Sequence, residues 1–299
     1  RFGVPKIYAD PESLFRSETL DFVDIIASPD AHAPLIRLAA RHGVPVICQK
    51  PLCPTLAEAR AVADECAAAG VPLFVHENWR WQTPLRAVKH ALDTGAIGRV
   101  FRGRLTFANS FPVFDAQPAL KEMDRFILSD VGTHVLDVAR WLFGEVESLY
   151  CVTARVNPDI RGEDVATVLL RTTNGAAVTC ELSYASRVEH DRFPETFVLA
   201  EGDRGSVELG PDFWVRTTAD GETRARRYPP QRYDWADPRY DLVQASMVPC
   251  LRNLLSGLWD GDADLVQTTA ADNLKTLELV FGAYESAERN AVVRPGEVT

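Results

Sequence analysis

No apolar run in the 299 residues approaches the roughly 18 needed to cross a bilayer, and no basic-then-apolar leader stands at the start. A membrane partner is therefore not expected. Positive charge is in deficit: 32 Lys and Arg stand against 42 Asp and Glu, a formal net charge of −10. No face shows an obvious basic excess, which argues against a nucleic-acid partner. The six cysteines, Cys48, Cys53, Cys66, Cys151, Cys180 and Cys250, include no C-x-x-C pair, so no metal site is expected. Several lie in apolar runs, where a thiol behaves as a small hydrophobe. Free thiols fit a reducing compartment, and a cytoplasmic location is expected. Internal repeats and low-complexity tracts are absent. What is present is ordinary globular composition, 46% hydrophobic and 25% charged, in a chain long enough for two domains.

The first part alternates short apolar runs with helical patterns. "FVDIIAS", "VPVIC" and "VPLFVHEN" read as strands buried on both faces, because apolar residues run on without alternation. Between them, "DAHAPLIRLAARHG" reads as a helix stopped by Gly43. "TLAEARAVADECAAAG" reads as another, with Thr55 and Glu58 as a capping box and Gly70 as the stop. Strand and helix in this alternation imply a parallel sheet with right-handed crossovers. The second part changes character. A helix is expected at "PLRAVKHALDTGAIG" and another at "SDVGTHVLDVARWLFG". A hairpin is expected around Asn174-Gly175, and a further strand pair at "TFVLAEGDRGSVELG". The polar segment Thr217 to Arg239 reads as a surface excursion. Two helices close the chain, near Leu242 to Leu258 and Thr268 to Arg289. The expected fold is α/β followed by α+β with a largely antiparallel sheet.

Ligands of open parallel sheets bind beyond the carboxyl ends of the strands. "SPDAH", "QKP" and "HENWRW" fall there, and they bring His32, Gln49, Lys50, Asn78 and Arg80 toward one sheet edge. An ammonium directly after a buried strand is costly without a partner, so Lys50 points to chemistry or to a charged ligand. Ordinary βα turns also favour Pro, Asp and Asn, which is the bland alternative for each segment. A second constellation is "LSDVGTHVLDVARWLFGE". Asp130 and His134 are spaced to share a helix face, and a carboxylate beside an imidazole can orient it. The alternative is an N-capping Asp130 beside a core His134.

The ordered set "IIASPDAHAPLIRLAARHGVPVICQKPLCPTLAEA", "GVPLFVHENWRWQTPLRAVKHALDTGAIGRV", "LSDVGTHVLDVARWLFG" and "DNLKTLELVFGAYESAERNAVV" closely resembles the glucose-fructose oxidoreductase / inositol dehydrogenase / MocA family. The resemblance spans nearly the whole chain. It implies a Rossmann-like domain over 1–80 and a substrate-binding and oligomerisation domain over 81–299. It implies a dehydrogenase that passes a hydride between NAD or NADP and a sugar, inositol or related polyol, in a homo-oligomer (dimer or tetramer). By resemblance, the cofactor is bordered by Ser28, Pro29, Asp30, His32, Gln49, Lys50, Pro51, Asn78 and Arg80. Gln49 stands where the family carries glutamate. Lys50, Asp130 and His134 are the implied catalytic set: His134 or Lys50 handles the hydroxyl proton, and Asp130 orients His134. The substrate is expected to meet Lys50, Asn78, Trp81, Asp130, His134, Tyr184 and Arg187.

The family's G-x-G-x-x-G turn, which holds the pyrophosphate, has no counterpart here. The sheet is expected to lack its first βαβ unit, as in an N-terminally truncated sequence. Two alternatives to an active dehydrogenase accompany that departure: a non-catalytic cofactor-sensing relative, and an inactive fragment.

Overall fold

Three short apolar runs separated by helix-length segments build a parallel sheet near the start of the chain. The computed structural model describes residues 3–260 and 265–298; residues 1, 2, 261–264 and 299, which the expected domain limits include, lie outside the described residues. Helix α1 (Pro11–Ser17) starts at Asp10, whose carboxylate accepts from Ser13 N at 2.8 Å. Strand β1 (Val23–Ile25), helix α2 (Pro29–Arg41), β2 (Val46–Cys48), α3 (Leu56–Ala68) and β3 (Leu73–Val75) follow. The sheet order is β1-β2-β3, all parallel. Every residue of β2 and β3 is buried, which explains their unbroken apolar character. Thr55 Oγ1 accepts from Glu58 N at 3.2 Å and caps α3. Gly43 and Gly70 end α2 and α3 at φ +67° and +66°, a conformation that favours glycine.

By internal packing the chain divides into two units, Arg1–His76 with Leu251–Leu274, and Glu77–Cys250 with Lys275–Thr299. The late segment joins the first unit through backbone pairing: Val75 N donates to Thr268 O at 2.9 Å, and Phe74 bridges Thr269 antiparallel.

The second unit is built on an eight-stranded sheet. Its elements are α4 (Thr83–Asp93), β4 (Val100–Ala108), α5 (Val113–Ala116), α6 (Thr133–Phe143), β5 (Val146–Ala154), β6 (Val165–Thr172), β7 (Ala177–Ser183), β8 (Phe197–Gly202), β9 (Gly205–Gly210), β10 (Trp214–Ala219) and β11 (Glu222–Arg227). Helices α7 (Asp241–Trp259) and α8 (Ala270–Arg289) run across the division between the units. The strand order is β11-β10-β9-β8-β4-β7-β6-β5, with β4 and β7 parallel and the other pairs antiparallel. Along β6, Ala166, Val168 and Leu170 are buried and Thr167, Leu169 and Arg171 are exposed, so one face of the sheet is covered. Helix α6 packs on β4 and β7. A methyl group built on Gly103 of β4 would lie 2.6 Å from the Phe143 ring, so this glycine makes the seat for the end of α6.

The expected surface excursion at Thr217 to Arg239 is exposed or half-buried throughout, and its first part is regular strand. Residues 214–227 form the hairpin β10–β11 at the sheet edge, turning at Asp220 and Gly221, both with positive φ. Strand β11 is exposed along its whole length, so it has no apolar alternation to reveal it. The Asp-Gly pair was the available signal.

Candidate active site

In the first unit, the chain leaves the carboxyl ends of β1 and β2 through the two expected loops. Ser28, Pro29 and Asp30 are exposed, with Ser28 as N-cap and Pro29 opening α2. Gln49 N donates to Ile25 O at 3.1 Å and extends the β1–β2 pairing by one residue. Gln49, Lys50 and Pro51 are half-buried at that strand end, and the Lys50–Pro51 peptide is cis. His32 lies wholly inside the unit. Its Nδ1 is 3.0 Å from Pro51 O and 3.2 Å from Leu52 O, and its Nε2 is 3.1 Å from Ala27 O. The ring binds the two loops together, and its nitrogens face backbone rather than a ligand surface.

The second unit opens on Glu77, with no exposed surface, and the tight turn Trp79–Trp81. The carboxylate that meets the His134 ring is that of Glu77: His134 Nδ1 and Glu77 Oε1 are 2.5 Å apart. The sequence reading gave this role to Asp130 and passed over Glu77. Asp130 instead accepts from the Tyr184 hydroxyl at 3.1 Å. The difference has a structural origin. Leu128–Gly132 winds as a π-type turn before α6 starts at Thr133, so Asp130 and His134 do not sit on one regular helix. The Trp79 ring lies against the His134 ring at 4.6 Å and an interplanar angle of 1°, which fixes the imidazole plane. Burial, then the Asp130 charge, pushes the Tyr184 hydroxyl well above its ordinary range, so it remains a donor. Tyr184 and Arg187 line a cavity of about 290 Å³ with Ser110, Phe111, Phe114 and Asp164.

Asn78 and Arg80 are buried and bonded within this unit. Asn78 Nδ2 donates to Ser246 Oγ at 2.5 Å. Arg80 grips Asp137 with two parallel bonds, Nε at 2.5 Å and Nη2 at 2.6 Å. Asp137 also accepts from Thr276 Oγ1 at 2.9 Å, and Thr276 accepts from Arg140 Nη1 at 2.8 Å. Trp81 is half-buried, with the Arg86 guanidinium 4.6 Å above its ring. The π-type turn is held from below by Glu163, which accepts from Phe126 N and Leu128 N, each at 3.1 Å, and from the Tyr284 hydroxyl at 2.9 Å. Glu77, Asp137 and Glu163 carry no local signature that would single them out from other acidic residues.

Residues 1–77 match the model of an oxidoreductase family with an NAD-binding Rossmann fold. Residues 85–208 match the GFO/IDH/MocA C-terminal domain. A D-apiose dehydrogenase of Rhizobium rhizogenes is 42% identical over 296 residues, 99% of this chain and 85% of that protein. A D-apiose dehydrogenase of Paraburkholderia graminis is 44% identical over 98% of this chain and 77% of that protein. Among solved structures, an oxidoreductase from Agrobacterium radiobacter in complex with NAD+, L-tartaric acid and magnesium superimposes with a TM-score of 0.97 at 41% identity, covering 100% of this chain and 86% of that one. A parallel-sheet domain of Rossmann type, a mostly antiparallel sheet domain, and these likenesses over nearly the whole chain agree: the chain belongs to the Gfo/Idh/MocA family of nicotinamide-dependent oxidoreductases and is a dehydrogenase of a sugar or related polyol.

Proposed function

We propose that this chain oxidises D-apiose, or an aldose of closely similar shape, with NAD+ as the oxidant. The observation that carries this reading is the 42% identity to a D-apiose dehydrogenase over 99% of the chain. The small cavity at Tyr184 and Arg187, lined by polar and aromatic groups together, suits a compact polyhydroxy substrate. The donor set at the carboxyl ends of β1 and β2 fits the cofactor: hydroxyl, carboxylate, amide and ammonium groups match ribose hydroxyls and a carboxamide. Ser28, Pro29, Asp30, Gln49, Lys50 and Pro51 would hold it, with His32 bracing their loops.

When bound, the nicotinamide supplies the hydride acceptor. Oxidation breaks the carbinol C–H and O–H bonds and forms C=O. His134 takes the hydroxyl proton. By resemblance to the family, Lys50 supplies a cation suited to stabilising alkoxide charge as it develops. Asp130, held by Tyr184, and the exposed Arg187 receive substrate hydroxyls. Asn78, Arg80 and Trp81 shape the turn that carries Trp79 against His134.

A homo-oligomer, dimer or tetramer, formed through the open face of the large sheet is part of this proposal; Val152 and Leu169 on that sheet are exposed apolar side chains. A cytoplasmic location is a further part, supported by six free cysteines, all buried. No helix among the described residues is long and apolar enough to cross a membrane. The test is turnover of D-apiose, D-xylose and myo-inositol with NAD+ and with NADP+, followed by absorbance of the reduced cofactor. The expected result is the highest kcat/KM for D-apiose with NAD+. A preference for inositol, or no turnover of any of the three, would overturn the reading.

A further inference from the structure

We infer that Glu77 is the positioning residue of the proton-transfer step: it fixes the tautomer of His134 and carries the counter-charge when that ring is protonated. The inference rests on the reading of His134 as the group that takes the substrate proton.

The argument starts from hydrogen-bond chemistry. An ionised carboxylate only accepts, so the ring nitrogen facing it must carry the proton. Glu77 Oε1 lies 2.5 Å from His134 Nδ1, within hydrogen-bond reach. The neutral imidazole is therefore the Nδ1–H tautomer, and Nε2 is its basic nitrogen. The opposite tautomer would present an N–H to the substrate and could not accept its proton.

Position is over-determined from several sides. Glu77 Oε1 also accepts from Trp79 N at 3.3 Å, and Cys250 Sγ donates to Glu77 O at 3.6 Å. The carboxylate and its backbone are thus tied to the same turn that stacks Trp79 on the imidazole. Tilt is set by the ring contact and rotation about the ring normal by the carboxylate. Glu77 has no exposed surface and His134 is 7% exposed. A buried carboxylate is expensive to hold, and a fold that needed only a filled space would do better with an apolar side chain. Proton uptake at Nε2 makes an imidazolium, and in this dry site Glu77 stabilises it by charge pairing. The logic is that of an acid–imidazole dyad, here assembled from the start of the second unit and the first turn of α6.

The test uses the full chain labelled with 15N-histidine, with the His134 resonances assigned by their loss in His134→Asn. In the native protein the expected neutral ring carries its proton on Nδ1. In Glu77→Gln, an amide that can donate or accept allows both tautomers, so a mixture is expected. Turnover of D-apiose should fall in kcat by about a hundredfold or more, with KM held within about threefold. Glu77→Asp, which keeps the charge, should restore the native tautomer and part of kcat. A native ring protonated on Nε2 would overturn the inference. So would Glu77→Gln with unchanged tautomer and unchanged kcat. The spectra need neither sugar nor cofactor. An Nδ1–H ring with no turnover of any sugar would therefore sink the substrate reading and leave the role of Glu77 standing.

Discussion

Removing the Asp137 carboxylate should destabilise the second unit more than any surface change. Asp137 has no exposed surface and neutralises Arg80, itself 4% exposed, through two bonds at 2.5 and 2.6 Å. It also accepts from Thr276 at 2.9 Å, and Arg140 Nη1 lies 3.9 Å away. In Asp137→Ala the Arg80 guanidinium stays buried and loses this counter-charge. Arg140 keeps Glu145, at 3.0 and 2.9 Å, so the loss falls mainly on Arg80. Breaking one partner of such a pair costs about 3–5 kcal/mol. With a urea m-value of about 3 kcal/mol/M, the unfolding midpoint should drop by about 1–1.7 M. Urea titration followed by circular dichroism measures it. Replacing both partners, Arg80→Met with Asp137→Leu, removes the buried guanidinium together with this carboxylate and should recover most of the loss. A midpoint drop in Asp137→Ala below about 0.3 M, or no recovery in the double variant, would refute the reasoning. Turnover should fall as well, because Arg80 anchors the turn whose Trp79 lies on His134.

Tyr184→Phe removes the hydroxyl that donates to Asp130; kcat/KM for the sugar should fall about tenfold while stability changes by no more than about 1.5 kcal/mol. Full activity in that variant would take Tyr184 out of the site. The buried thiols predict an alkaline limit. Burial, then a neighbouring glutamate, pushes Cys53 and Cys151 up from 9.0 to about 12. A raised folded-state value stabilises below the unfolded value, near 8.5, and that stability is lost as pH rises above it. Each thiol should then cost up to about 1.4 kcal/mol per pH unit between roughly pH 8.5 and 12. Urea midpoints that do not fall between about pH 8 and 10 would contradict the burial assignment.

Much of the fold was legible because it follows from local rules. The runs ending in Ile25, Cys48 and Val75, each followed by a loop and a helix, could only make a parallel layer. Thr55 with Glu58, and Gly43 with Gly70, marked helix ends through capping and left-handed backbone, which depend on near neighbours alone. The hairpin at Asn174-Gly175 was visible for the same reason. Strand β11 was not, since Glu222–Arg227 is exposed throughout and its partner is an edge strand. Nor was the return of residues 251–274 to the first unit, which depends on backbone pairing with β3 across the length of the chain.

The site divides along the same line. Lys50, Asp130 and His134 were picked out by motif and spacing. Spacing can nominate only helix neighbours, and it paired Asp130 with His134. The folded chain pairs Asp130 with Tyr184, 54 positions away, and His134 with Glu77, 57 positions away. Arg80 and Asp137 meet across 57 positions in the same manner. The sequence by itself determined the elements, their order and the residue types available for chemistry, because periodicity and capping arise from backbone geometry within a few residues. Only the tertiary structure decided which carboxylate meets which cation. A buried charge must find its partner wherever packing brings two segments together, and that choice is made by the whole fold.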